Sequence, residues 1–215
     1  MNGGSMTWRY IEYITLFWFT PLALYSLREH LGYILIPFLI AIAIGCLVVL
    51  MQKGVLQAQW QKAKNINYSH LYSIATVFVI IATLFLVVIA VTLPEKLLDL
   101  PQSDTNTWLL ILLLYPFISV FPQEIIFRSY FFHRYRKVFT GNNSRCFFSS
   151  LSFSLAHLLY ANWIAVILSF CGSLLFSYRY VKTDNIALVI VEHSLWGMFI
   201  FTSGLGSFFI VSTWL

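Results

Sequence analysis

The sequence predicts an all-α, polytopic membrane protein with about eight transmembrane helices. Of its 215 residues, 60% are hydrophobic and 10% are charged, and the mean hydropathy is +0.81. A soluble domain carries charge on about a quarter of its residues, so the composition excludes an ordinary soluble domain. Apolar segments separated by short polar stretches cover residues 10–27, 31–51, 71–93, 107–131, 146–160, 163–179, 185–202 and 204–215.

The length of each apolar segment indicates how it sits in the bilayer. A helix needs roughly 20 residues to cross the hydrocarbon layer, and the second, third and fourth segments meet this requirement. The later segments are shorter and closely spaced, so we expect them to be tilted, partly re-entrant or buried by neighbours. No hydrophilic stretch is long enough to fold separately, so residues 1–215 are expected to form one transmembrane domain.

The basic residues predict the orientation. With the N-terminus in the cytoplasm, the inner loops hold ten Lys or Arg residues and the outer loops hold only Arg28 and Lys96. This distribution follows the positive-inside rule and predicts contact with anionic lipid, not with nucleic acid. We expect an integral protein of a bacterial inner membrane. The ten inner residues are Arg9, Lys53, Lys62, Lys64, Arg134, Arg136, Lys137, Arg145, Arg179 and Lys182.

Ionisable side chains inside apolar segments predict a site. Such groups cost free energy in a membrane, and each one is therefore taken to indicate a functional site by default. Counted along their helices, three of them lie roughly 15–18 Å from a basic cytoplasmic anchor at 1.5 Å per residue. The sequence therefore predicts that three helices bring a carboxylate and two imidazoles to one level. The ionisable residues are Glu124, Arg128, His157, Glu192 and His193.

A carboxylate and two histidines can activate water in two ways. Glu124 can act as a general base while the histidines position the water or stabilise an oxyanion. Alternatively, Glu124, His157 and His193 ligate zinc. We favour a site without a metal or other cofactor, because no cysteine joins it and the histidines lack a closely spaced ligand pair. Arg128, one helical turn from Glu124, is expected to hold the carboxylate in place.

Three segments resemble the motifs of the CPBP family, the CAAX prenyl protease and bacteriocin-processing membrane proteases, also called Abi proteins. They are QEIIFR at 123–128, FSLAH at 153–157 and VEHSLWG at 191–197, all within residues 105–205. The resemblance implies a compact fold of about eight helices with a conical cavity open to the cytoplasm. It also implies peptide cleavage by a glutamate-activated water, with Phe153 and His157 belonging to the second motif.

The sequence departs from the family pattern at two positions. Gln123 replaces the first glutamate of the family's adjacent pair, which is the position most often given the water-activating role. Gly197 replaces the asparagine expected four residues after the last histidine. We therefore expect Glu124 to serve as the base, with Gln123, Glu192 or Asn162 filling the missing polar roles. Alternatively, the chain is a family member without hydrolytic activity.

The favoured function is a membrane-embedded endopeptidase that acts on a peptide or on a membrane-proximal segment of another protein. One alternative is a catalytically inactive membrane scaffold or chaperone that keeps the fold for partner binding. Another is a small proton-coupled transporter, but the inverted repeat of broken helices typical of transporters is not evident in the sequence.

Overall fold

The computed structural model describes residues 3–210, and within these residues all the regular structure is helical. Nine α-helical segments follow one another, some continued by π turns and joined by short 3₁₀ turns. They are α1 (3–31), α2 (Leu35–Gln52), α3 (Val55–Lys64), α4 (Tyr68–Thr92), α5 (Asp99–Ser103), α6 (Thr105–Arg134), α7 (Asn142–Ala156), α8 (Trp163–Thr183) and α9 (Ile186–Ser203).

Asparagine or aspartate caps fix where four of the long helices begin. The side chains of Asn67, Asp104, Asn162 and Asn185 each accept a hydrogen bond from a backbone N–H in the first turn of α4, α6, α8 and α9. Such caps satisfy amide groups that have no partner inside the helix. At the other end of α9, Gly204 has φ of +100°, and a Cβ there would lie 1.7 Å from the Lys96 carbonyl oxygen. Only glycine fits this turn.

The protein is an integral membrane protein. Five helices within the described residues, α2, α4, α6, α8 and α9, are long and apolar enough to cross a bilayer. Large hydrophobic side chains on these helices point outward, for example Val91 with 77% exposure and Leu113 with 65%. In water this surface would cause aggregation, whereas a lipid bilayer covers it at no cost.

Five of the eight predicted spans correspond to these five helices, and the other three do not. The first predicted span lies inside α1, and the fifth is the shorter helix α7 followed by the 3₁₀ turn His157–Tyr160. In the last predicted span, 204–215, the structure has the 3₁₀ helix Leu205–Phe209, and residues 211–215 lie outside the described part of the chain. The all-α membrane fold is confirmed, and the count of eight stays a prediction.

Helix α6 contains two π-helical turns, Pro116–Val120 and Ile125–Tyr130, on either side of the short stretch Phe121–Glu124. Proline removes a backbone donor, which favours this irregularity at Pro116. A π turn adds a residue to the helical repeat and rotates the side chains that follow it, and such turns are frequent at functional sites. The two turns therefore frame the residues around Gln123 and Glu124.

Aromatic side chains form the core between α1, α6, α7 and α8. The ring of Tyr13 lies 5.6 Å from that of Tyr135 and 5.1 Å from that of Phe139. Phe17 packs against Phe127 at 5.7 Å. These edge-to-face contacts add to the packing of bulky rings. The core fixes α1 against α6 and sets the level at which the polar residues of α6 face α9.

Candidate active site

Glu124 and His193 form the centre of the site. The Glu124 side chain is fully buried and His193 is 4% exposed, and Oε1 of Glu124 lies 2.7 Å from Nδ1 of His193. A carboxylate only accepts hydrogen bonds, so with Glu124 as the carboxylate Nδ1 is the donor. With Nδ1 as the donor, Nε2 is the ring nitrogen that can accept a hydrogen bond, and it is turned away from Glu124.

Arg128 lies on the other side of Glu124. Its Nε is 3.2 Å from Glu124 Oε2, although the contact lacks the geometry of a hydrogen bond. The guanidinium donates to Ser173 Oγ at 2.9 Å and lies 5.1 Å above the ring of Phe153 and 5.5 Å above that of Phe176. Charge attraction and ring packing therefore hold the arginine beside the Glu124 carboxylate.

Aromatic rings fix the orientation of both histidines. His193 stacks on Phe176 at 4.6 Å, and the ring of Phe153 is 5.5 Å from that of His193 and 4.5 Å from that of His157. Nδ1 of His157 lies 2.8 Å from the Phe153 carbonyl oxygen. Since a carbonyl only accepts, His157 also keeps its Nε2 as the free acceptor. The structure thus brings Glu124, Phe153, His157 and His193 together.

Gln123 lies next to Glu124, on the side that faces the cavities. Its Nε2 donates to Ser119 Oγ at 2.8 Å, and its Oε1 is buried with no hydrogen-bond partner among the described residues. A buried polar atom without a partner is costly and indicates a place for a ligand or water. The Nε2 end of the amide is therefore held by a residue of α6, whereas the Oε1 end has no partner among the described residues.

Two neighbouring apolar cavities, of about 470 and 290 Å³, share lining residues at this site. Gln123 and His157 line both, His193 lines the smaller, and Glu124 lines neither. From the level of Gln123 the shared lining extends to Tyr115 and Tyr160, away from the basic end of α6. The opening toward the cytoplasm that the sequence predicts therefore stays a prediction.

Comparison with known proteins gives one match. Residues 105–199 match the family model of the type II CAAX prenyl endopeptidase Rce1-like proteins. The match supports the resemblance of this segment to the CPBP family of CAAX proteases. The match covers α6 to most of α9, and so includes Gln123, Glu124, Arg128, His157 and His193. No curated protein and no solved structure matches the chain. The family indicates a membrane protease.

The two departures from the CPBP pattern have different structural outcomes. Gln123 occupies the cavity-facing position of the adjacent pair, whereas Glu124 is turned toward Arg128 and His193. At Gly197 an added Cβ would lie 2.1 Å from Cε1 of Tyr115. The ring of Tyr115 therefore fills the space that an asparagine side chain would need.

Two residues expected to support the site lie elsewhere. Glu192 forms a buried, two-pronged ion pair with Arg179, with both N–O distances at 3.0 Å. Asn162 caps α8 through Ala165 N and donates to the carbonyl oxygens of Tyr160 and Phe208. Neither side chain hydrogen-bonds to Glu124 or to a histidine. The orientation count placed Arg179 in a loop, but the structure buries it inside α8, one turn from the helix end.

The zinc hypothesis concerns Glu124, His157 and His193. No group of three or more His, Cys, Asp or Glu side chains within the described residues has the arrangement of a metal site. His157 and His193 could each offer Nε2, but Glu124 is already engaged by Arg128 and His193. The sequence analysis missed Tyr115, Ser173 and Phe176, which complete the surroundings of the site. Only spatial proximity marks them.

Proposed function

We propose that this protein is a membrane-embedded endopeptidase in which His193, held by Glu124, activates the water. The hydrogen bond of 2.7 Å between Glu124 and His193 carries this proposal. This hydrogen bond fixes the imidazole tautomer while the carboxylate stays buried. It leaves Nε2 free to act as a base on a water in the apolar cavity that His193 lines. The Glu124 carboxylate stabilises the imidazolium that forms, as in other acid–histidine pairs.

The hydrolysis proceeds in two steps. Water attacks the carbonyl carbon of the scissile peptide while its proton passes to Nε2 of His193, which gives a tetrahedral oxyanion. The imidazolium then returns the proton to the leaving nitrogen, the C–N bond breaks, and an acid and an amine are released. His157 and Gln123, which line the same cavity, position the water and the substrate carbonyl. This arrangement modifies the sequence expectation that Glu124 itself contacts the water.

The cavity suits an apolar substrate. Its lining is mostly aliphatic and aromatic, with few polar groups beside Gln123 and the histidines. Sites of this composition bind apolar ligands and use isolated polar groups to orient them. We propose a peptide with an apolar or lipid-modified segment as the substrate class, in keeping with the prenyl endopeptidase name of the matching family.

The test is peptide hydrolysis by the purified protein in lipid nanodiscs. The probes are internally quenched peptides with a C-terminal CAAX sequence, one farnesylated and one unmodified. We expect the wild type to cleave at least one probe and Glu124→Gln to be slower by a factor of ~10² or more. Glu95→Gln, in the loop before α5, is the control and is expected to retain the wild-type rate. Equal rates for Glu124→Gln and the wild type would contradict the proposal.

The alternative is a non-catalytic family member, which Gln123 and Gly197 favour. The same assay separates the two, because a scaffold cleaves neither probe at a rate above that of Glu124→Gln.

We also propose that hydrolysis requires no metal ion, because the histidines lack a third ligand among the described residues. Dialysis against 1,10-phenanthroline followed by the peptide assay tests this. The rate is expected to stay unchanged. A loss that added zinc reverses would show a metal enzyme.

A further inference from the structure

We infer that the hydroxyl of Tyr115 stabilises the oxyanion of the proposed reaction from the place that a side chain at residue 197 would occupy. This inference rests on the proposed function. The Tyr115 side chain occupies the position where a residue-197 side chain would begin, since a Cβ there would lie 2.4 Å from the Tyr115 hydroxyl oxygen. Compared with the family pattern, the hydrogen-bond donor at this place therefore comes from α6 and not from α9.

The surroundings of Tyr115 support a role in contact with substrate. Its ring is 6.4 Å from that of His193 and almost perpendicular to it, at 80°. Tyr115 lines both cavities together with Gln123 and His157. The ring packs against Phe201 at 5.5 Å, which fixes its direction. No described residue accepts a hydrogen bond from its hydroxyl, so this donor is available to the oxyanion.

The local sequence explains why the tyrosine reaches this place. Tyr115 is the last residue before the π turn that starts at Pro116, and α6 and α9 pack closely here because residue 197 has no side chain. A tyrosine hydroxyl donates one hydrogen bond, whereas an asparagine amide has two N–H donors, and the tyrosine side chain extends further from its backbone. A long side chain from α6 thus replaces a short one from α9.

The first test is Tyr115→Phe in the peptide assay, with Tyr178→Phe on the outer face of α8 as the control. We expect kcat to fall by ~10²-fold with KM within about twofold, because one oxyanion donor acts in the transition state. The control is expected to match the wild type. An unchanged kcat in Tyr115→Phe would overturn the inference. If the wild type itself is inactive, the proposed function fails instead.

The second test exchanges the two positions. Gly197→Asn alone is expected to be inactive or unstable, since its Cβ would collide with the Tyr115 ring. Tyr115→Ala removes both the donor and the collision. We expect the double variant Tyr115→Ala/Gly197→Asn to be at least tenfold faster than Tyr115→Ala, because it restores an amide at the family position. A double variant that folds but is no faster than Tyr115→Ala would contradict the exchange.

We propose, from a separate observation, that a cavity at the basic end of the protein binds a phosphate group. The cavity has a volume of about 920 Å³ and is lined by residues of α1, α2, α3, α6, α7 and α8 and of the loops beside them. One carboxylate lines it, that of Asp184, together with six cations. The cations are Arg9, Lys53, Lys62, Arg134, Arg136 and Arg145.

Two of these cations are neutralised by partners. Lys62 pairs with Asp184, and Arg134 pairs with Glu12. Arg9, Lys53 and Arg136 have no carboxylate partner within the described residues. Positive charges crowded into one cavity repel one another and attract an anion strongly.

Two helices add backbone donors to this charge. α3 begins after Gly54 and α7 after Gly141, and neither has a side-chain cap. Gly54 and Asn142, at the two helix starts, line the cavity. The free N–H groups and the positive helix ends favour a phosphate between them. An anionic lipid headgroup and a free phosphate compound share this chemistry.

The test is calorimetric titration of the detergent-purified protein with short-chain phosphatidylglycerol, short-chain phosphatidylcholine and inorganic phosphate. We expect saturable binding of phosphatidylglycerol or phosphate that weakens about tenfold in Lys53→Gln and in Arg136→Gln. Lys137→Gln, next to Arg136 but outside the cavity lining, is the control and is expected to bind as the wild type does.

Binding of phosphatidylglycerol without binding of inorganic phosphate would identify a lipid headgroup as the ligand. Equal binding of both would identify a soluble phosphate compound. Binding that is not saturable, or that the two variants leave unchanged, would overturn the proposal.

Discussion

At the scale of single residues, the two buried Arg–Glu pairs within residues 3–210 have different surroundings. Glu124 is shared between Arg128 and His193, and His193 lines a cavity. Glu192 is engaged by Arg179 through two hydrogen bonds. A buried pair is a poor source of stability, but removing one partner leaves an uncompensated charge. The Arg179–Glu192 pair is therefore a structural link between α8 and α9.

This difference gives a prediction on stability. Arg179→Met should lower the free energy of unfolding by about 3–5 kcal/mol, because Glu192 stays buried without its partner. The double variant Arg179→Met/Glu192→Leu should recover most of that loss and keep peptide hydrolysis. Thermal unfolding in detergent and the peptide assay measure both effects. A double variant that folds but does not cleave would place the pair in the catalytic machinery.

Part of the site could be predicted at this scale. The cost of charge in a membrane identified Glu124, Arg128, His157 and His193 from sequence, and the structure brings them together. The direction of Glu124 could not be predicted, because it depends on which face of α9 meets α6. Tyr115 was missed for the same reason: a tyrosine in an apolar helix carries no signal until Gly197 lies opposite it.

At the scale of elements, capping residues and prolines determine where the helices begin and how they turn. Asn185 accepts from Ala187 N and Leu188 N and also donates to the Lys62 carbonyl oxygen. It therefore starts α9 and ties it to the end of α3. The boundaries of the long apolar helices were predictable from composition. The π turns of α6 were not, because Pro116 favours an irregular turn without specifying its π form, and no proline starts the second turn at Ile125.

The caps predict an order of stability. Asn185→Ala should cost about 1–2 kcal/mol, since it removes a cap and a contact between helices. Asn67→Ala should lower the free energy of unfolding by less, because it removes only the hydrogen bond to Ser69 N at the exposed start of α4. Chemical unfolding of the two variants in the same detergent tests this order. A larger cost for Asn67→Ala would show that the tie between α3 and α9 is weak.

At the scale of the whole molecule, the basic residues and the cavities lie in different regions. Cations gather around the 920 Å³ cavity at the end of α6, whereas the two apolar cavities begin at Gln123 and extend the other way. Composition alone predicted the membrane fold and the basic end. It did not predict the cavities, because they lie where the side chains of α1, α6 and α9 leave volume between the helices unfilled.

The predicted orientation can be measured on intact cells. In a background with Cys46, Cys146 and Cys171 replaced, Lys137→Cys and Asn106→Cys place single thiols beyond one end of α6 and near the other. With the basic end in the cytoplasm, a membrane-impermeant maleimide should label Asn106→Cys in intact cells and Lys137→Cys only after permeabilisation. The reverse pattern would show the opposite orientation.

The central claim is that His193, oriented by Glu124, is the base that activates water. Chemical rescue tests it most directly: peptide hydrolysis by His193→Ala is measured in lipid nanodiscs at increasing imidazole concentration. We predict that His193→Ala is slower than the wild type by a factor of ~10² or more, and that imidazole raises its rate at least tenfold. Glu124→Gln should show no such rescue. A His193→Ala variant that cleaves as fast as the wild type without imidazole would contradict the claim.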